Sequence, residues 1–149
     1  VAALVHIVPL GGLGEVGMNC LAIEAAGRIA VIDCGVLFTD EPFGVDVLVP
    51  DLTWLVERRQ QVEAVFLTHG HEDHVGALPF LLRQVPVPVY GTRFTLAMVK
   101  GRLAEAGIAA DLREVTPGQT CPAGDGSPLR AEFIAVTHSI PDACALAVW

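Results

Sequence analysis

Apolar residues fall in short blocks along the chain, and the spacing within each block predicts the local element. Blocks such as Arg28-Ile29-Ala30-Val31-Ile32-Asp33 and Val62-Glu63-Ala64-Val65-Phe66-Leu67 are rich in β-branched residues and too short for helices. On this basis strands are predicted near residues 3–9, 19–25, 28–33, 62–67, 87–90, 131–136 and 143–149, and helices near 51–60, 75–84 and 93–106. The stretch from Pro117 to Pro128 is dense in turn formers and reads as an exposed loop before a strand. Several strands precede the first convincing helix, so a strictly alternating parallel sheet is disfavoured and a mixed α/β (α+β) fold is expected. No internal repeat or low-complexity tract interrupts the pattern.

Between the predicted strand 62–67 and the predicted helix 75–84 lies His69-Gly70-His71-Glu72-Asp73-His74, which holds three of the five histidines. Four potential ligands in so short a span must share one strand-to-helix turn, where a rigid scaffold can aim them. Imidazole and carboxylate together suit zinc, with manganese or iron as competitors, and the HxHxDH spacing has donors enough for two ions. Two ions bring hydrolytic chemistry, because bound water falls from a pKa of about 15.7 to roughly 7. The bland alternative is a set of solvated loop histidines. His138 ends the predicted strand 131–136 and so occupies the same place relative to a strand as His69. Asp33 closes the block 28–33 and either orients a ligand or caps a turn before Gly35. His6, in the first strand, reads as packed or exposed rather than ligating.

Composition narrows the class. With 52% hydrophobic residues the 149-residue chain can build a respectable core. Cys20, Cys34, Cys121 and Cys144 form no CxxC pair and read as buried or free thiols, neither a zinc knuckle nor a disulfide framework. No apolar run approaches the ~20 residues of a membrane span, and Val1 opens no signal-like segment, so a cytoplasmic protein without membrane association is expected. A net charge of −8 is awkward for a protein that handles nucleic acid, although bound divalent ions would offset part of it.

A competing motif is Gly12-Leu13-Gly14-Glu15-Val16-Gly17, a GxGxxG after an apolar run, with Asp33 near where a ribose-binding carboxylate would stand. Taken alone it suggests a dinucleotide-binding oxidoreductase. The short span from Met18 to Ala26 leaves little room for a crossover helix, and nicotinamide chemistry gives no reason for HxHxDH. The glycines otherwise allow close backbone approach to metal or substrate, or form a tight hairpin.

Four segments together resemble the metallo-β-lactamase superfamily and, within it, the β-CASP nucleases of the bacterial ribonuclease J family. They are Pro9 to Asn19, Ile32-Asp33-Cys34-Gly35, Leu67 to Gly76, and Thr137-His138-Ser139-Ile140-Pro141-Asp142-Ala143. The resemblance implies an αββα sandwich, with residues 1–149 as the N-terminal part of the metallo-β-lactamase domain. It places the β-CASP and C-terminal domains, a bridging aspartate and a later histidine ligand beyond Trp149. It implies that His69, His71 and His138 hold one zinc ion, that Asp73 and His74 hold a second, and that Asp73 and His74 act in catalysis. Asp33 is then the buried orienting aspartate. The implied activity is endonucleolytic and 5′-to-3′ exonucleolytic hydrolysis of RNA by a hydroxide activated between two zinc ions, manganese being possible, in a homo-oligomer (dimer or tetramer) when full length. Alternatives are a thioesterase or lactonase of the same fold, and a binding module without catalysis.

Overall fold

The computed structural model describes residues 4–41 and 44–149. The chain begins with a meander, β1 (Val5–Gly11), β2 (Cys20–Ala25) and β3 (Arg28–Ile32), antiparallel throughout. The β2–β3 turn is Ala26-Gly27, both at positive φ (50° and 73°), which matches the right-handed twist of a two-residue hairpin. A separate hairpin follows, β4 (Leu37–Glu41) and β5 (Val45–Leu48), and then the short helix α1 (Thr53–Glu57). Beyond it come β6 (Val62–Phe66), α2 (Glu72–Val75), α3 (Leu78–Gln84), β7 (Val89–Gly91), α4 (Arg93–Glu105) and β8 (Leu112–Glu114). The described chain closes with β9 (Thr120–Pro122), β10 (Arg130–Ala135) and β11 (Cys144–Val148).

Six strands form one sheet in the order β1-β2-β3-β6-β7-β8, in which β3, β6, β7 and β8 run parallel. Strands β11-β10-β9 form a second, antiparallel sheet. Period-two alternation decides which side chains go where. Ile29, Val31, Val65 and Leu67 face a core shared with Leu55, Leu78, Leu81, Val99 and Leu103 of the helices. Ala30, Ala64 and Phe66 face the opposite way, into a core completed by Ala131, Phe133 and Cys144 of the second sheet. Helices, sheet and sheet are thus three successive layers of the expected mixed α/β sandwich. Phe66 lies edge-on to Phe133 at 6.2 Å and stacks on Tyr90 at 5.1 Å. Both phenylalanines are fully buried, each contributing about 1.5–3 kcal/mol, and they clamp the two sheets together.

Most predicted elements are present within two residues of their expected ends, and residue 3 of the first predicted strand lies outside the described residues. Three expectations change. The helix expected over 75–84 starts at Leu78 as α3, and a separate helical turn, α2, precedes it; the two do not join because Asp73 and His74 give their carbonyls to the amides of Asn19 and Cys34, and the amide of Ala77 bonds to Cys34 O. The expected loop 117–128 contains β9, where Cys121 and Ala123 are buried in the core between the two sheets and pairing with β10 overrides the turn-rich composition. The helix expected over 51–60 is only α1. The hairpin β4–β5 and the three-residue β8 were not predicted. All four cysteines are buried free thiols, as expected.

Candidate metal centre

Strand β6 runs directly into Leu67-Thr68-His69, and α2 supplies a single helical turn from His71 to Val75. Two neighbouring segments, one ending at Asn19 and one running from Cys34 to Val36, hold that turn by its carbonyls. Val36 donates to Glu72 O (3.1 Å), Asn19 to Asp73 O (2.9 Å) and Cys34 to His74 O (2.7 Å), which satisfies groups that a helix end leaves open. This approach is close enough that a Cβ on Gly35 would lie 1.7 Å from Asp73 O, so only glycine fits there.

His138 reaches the same place from the second sheet. Cys144, at the start of β11, donates its backbone N–H to Thr68 O at 2.9 Å, and the Thr92 hydroxyl donates to Asp142 O at 3.0 Å. The loop between β10 and β11 is thereby fastened above the HxHxDH turn. Ring centroids of His138 lie 4.6 Å from His69 and 5.0 Å from His71, and one nitrogen from each of the three rings falls within 4.8 Å of the others. His69 is buried, His71 half-buried and His138 exposed, so the cluster opens to solvent on one side.

Asp33 organises the rings from beneath. It is 4% exposed and held at φ +57°, a left-handed conformation that aspartate tolerates better than most side chains. Its Oδ1 accepts the Thr68 backbone N–H at 2.8 Å, and its Oδ2 accepts the Thr68 hydroxyl at 2.7 Å and His74 Nδ1 at 2.8 Å. With Nδ1 donating to a carboxylate, His74 keeps a lone pair on Nε2. The Thr68 oxygen, its own hydrogen given to Asp33, accepts from His69 Nδ1 at 2.9 Å, which likewise leaves His69 Nε2 as the lone-pair nitrogen. These contacts place the Asp33 carboxylate where it can orient both His74 and, through Thr68, His69.

The donor set fits metal ions. His69 Nε2 and His71 Nδ1 face each other at 3.0 Å, a contact that a shared cation relieves. His74 Nε2 and Asp73 Oδ2 are 3.5 Å apart, against about 3.4 Å for two donors each about 2.1 Å from one tetrahedral ion. Burial, followed by the charge of His74, pushes the His69 imidazole down to about 4, so it is neutral and able to ligate at neutral pH. Burial also pulls on His74, but the hydrogen bond and charge of Asp33, with Asp73, outweigh it and leave its pKa raised.

Every predicted site residue therefore gathers here, in two groups: His69, His71 and His138, and Asp73 with His74, joined through Asp33. His6 stands apart on β1, half exposed and paired with Glu24 at 3.2 Å. Three further residues belong to the site and were not assigned from the sequence. Thr68 relays between Asp33 and His69, Asn19 contacts Asp73 and His74, and Arg102 of α4 pairs with Glu72. A polar residue flanking the motif was the only available signal for Thr68, and the end of the glycine-rich segment the only one for Asn19. That segment joins two antiparallel strands and opens no helix, so it lacks the strand-to-helix geometry on which dinucleotide binding depends.

A mixed sandwich that gathers histidines and aspartates at its strand ends defines a class of metal-dependent proteins. The sequence profile of the Metallo-beta-lactamase superfamily matches residues 13–138, and the chain belongs to that superfamily. Among curated proteins it is similar to ribonuclease J of Mycobacterium tuberculosis, with 46% identity over 147 residues, covering 97% of this chain and 26% of that protein. It is similar also to ribonuclease J of Thermus thermophilus, with 43% identity over 147 residues, covering 93% of this chain and 25% of the relative. The chain thus spans about a quarter of the length of the curated relatives it matches. Among solved structures, a protein of unknown function from Enterococcus faecalis superposes with a TM-score of 0.68 at 16% identity, covering 99% of this chain and 41% of the other, a likeness of fold.

Proposed function

We propose that this chain is the N-terminal, metal-binding part of a ribonuclease that hydrolyses RNA phosphodiesters, with both endonucleolytic and 5′-to-3′ exonucleolytic action. The observation that carries the reading is the convergence of His138 with His69 and His71, in a chain 46% identical to a ribonuclease J. In this reading His69, His71 and His138 hold one zinc ion, and Asp73 and His74 hold a second. When bound, the ions supply Lewis acidity, making hydroxide available near neutral pH and offsetting the negative charge of the phosphate.

The chain's own residues do the rest. Asp33 and Thr68 fix the ring orientations, so that the lone pairs of His69 and His74 point into the site without reorganisation. Asp73, about one-third exposed, is the carboxylate placed to take and return a proton at the reacting oxygen. A groove of about 410 Å³ leads away past His71 and Asp73, walled by Val16, Leu37 and the exposed ring of Phe38, which gives an extended substrate a path to the site. Two divalent ions would offset half of the net charge of −8 that otherwise repels RNA.

Turnover assays on the whole protein test the reading against its alternative. With zinc bound, a 5′-monophosphorylated RNA should be cleaved and an acyl thioester left intact, and Asp73→Asn should lower RNA cleavage by about a hundredfold or more. Thioester turnover with RNA untouched would instead support a small-molecule hydrolase of the same fold.

A further inference from the structure

We infer that Asn19 is the positioning residue of the Asp73–His74 half-site: its amide holds the two donors at coordinating distance before an ion arrives. The inference rests on the reading of Asp73 and His74 as donors to a second ion. Asn19 Nδ2 lies 3.2 Å from Asp73 Oδ2, 3.2 Å from His74 Nε2 and 3.1 Å from Asp73 O. Because His74 Nδ1–H donates to Asp33, Nε2 faces the site as an acceptor, and Asp73 Oδ2 is an acceptor also. Two acceptors 3.5 Å apart repel one another unless a donor or a cation stands between them. The primary amide supplies N–H groups to both and carries no net charge, so it holds the gap open without a fixed positive charge that would oppose an incoming ion.

The amide is itself held. The Asn19 backbone donates to Asp73 O at 2.9 Å and accepts from Gly35 at 3.0 Å, which locks its segment onto α2. On its other side the side chain rests against Gly12, where a Cβ would stand 2.8 Å from Asn19 Oδ1. Gly12 has φ +82° and Gly17 φ +119°, and between them the chain leaves β1 and returns at Met18-Asn19. The GxGxxG segment thereby acquires a purpose: its glycines let the backbone fold back tightly enough to deliver one asparagine to two metal donors.

Calorimetric titration of zinc into the metal-free chain, as wild type, Asn19→Ala and Gly12→Ala, reads this directly. Wild type should show a tight site and a weaker second one. Asn19→Ala should leave the tight site within about threefold and weaken the second by about 10-fold or more, as loss of a residue that orients metal donors does. Gly12→Ala, which displaces the amide but keeps Asn19, should act in the same direction and decides the matter if Asn19→Ala fails to fold. The tight site serves as the internal control, since a general loss of structure would weaken both sites. Unchanged or tighter binding of the second ion in Asn19→Ala would overturn the inference and make the amide a plug. A single site in the wild type would instead remove the two-ion reading on which it rests.

Discussion

His69 and His74 have ring centroids 4.1 Å apart, yet their surroundings drive them in opposite directions. His69 loses its affinity for protons to burial and to neighbouring imidazoles, whereas His74 is steadied by Asp33. Each ring nevertheless ends with one nitrogen bonded to an oxygen and the other facing the site, the arrangement that metal-binding histidines require. At this scale the central prediction is a contrast between two histidines. His71→Ala should abolish tight zinc binding measured by titration, while His6→Ala, on an exposed strand beside Glu24, should leave it unchanged. The candidate ligands His69, His71, Asp73 and His74 were legible in the sequence because their spacing is local, and His138 because it ends a strand-like run as His69 does. Asn19 and Thr68 were not, since Asn19 meets Asp73 across 54 positions and Thr68 meets Asp33 across 35, contacts that only the fold creates.

Among the elements, α2 shows how tertiary contacts reshape a local signal. Its apolar pattern runs on through Leu82, but the carbonyls of its only turn are engaged by Val36, Asn19 and Cys34, so the helix stops and restarts at Leu78. The turn expected over 69–74 thus contains a helical turn dedicated to the site, and the helix expected over 75–84 is α3, dedicated to the core. Gly35 is the hinge of that arrangement. Gly35→Ala should destabilise the chain by about 3 kcal/mol or more in urea unfolding, because the added methyl meets backbone that cannot move without releasing α2. Strands were predicted well where a compact apolar block rich in β-branched residues runs over about five positions, as in β3 and β6. Strands β8 and β9 are three residues each, too short to carry a period, and exist because their sheets offer them partners.

The molecule as a whole is a device for bringing two sheets into register at one edge. HxHxDH follows a central strand of the first sheet and His138 follows β10 of the second, so the cluster exists only when the Phe66–Phe133 interface holds the two sheets together. The general architecture, strands before helices in a mixed fold, was readable from the order of elements. The approach of His138 to His69 was expected from its place at a strand end and from the resemblance, whereas the contacts that secure it, through Thr68, Cys144, Thr92 and Asp142, followed from no local pattern. No described helix is long and apolar enough to cross a membrane. Diffraction from zinc-loaded crystals, collected on either side of the zinc absorption edge, tests the central claim most directly. The account predicts an anomalous peak enclosed by His69, His71 and His138, with a weaker one between Asp73 and His74. Zinc located elsewhere, with the three imidazoles free of metal, would contradict it.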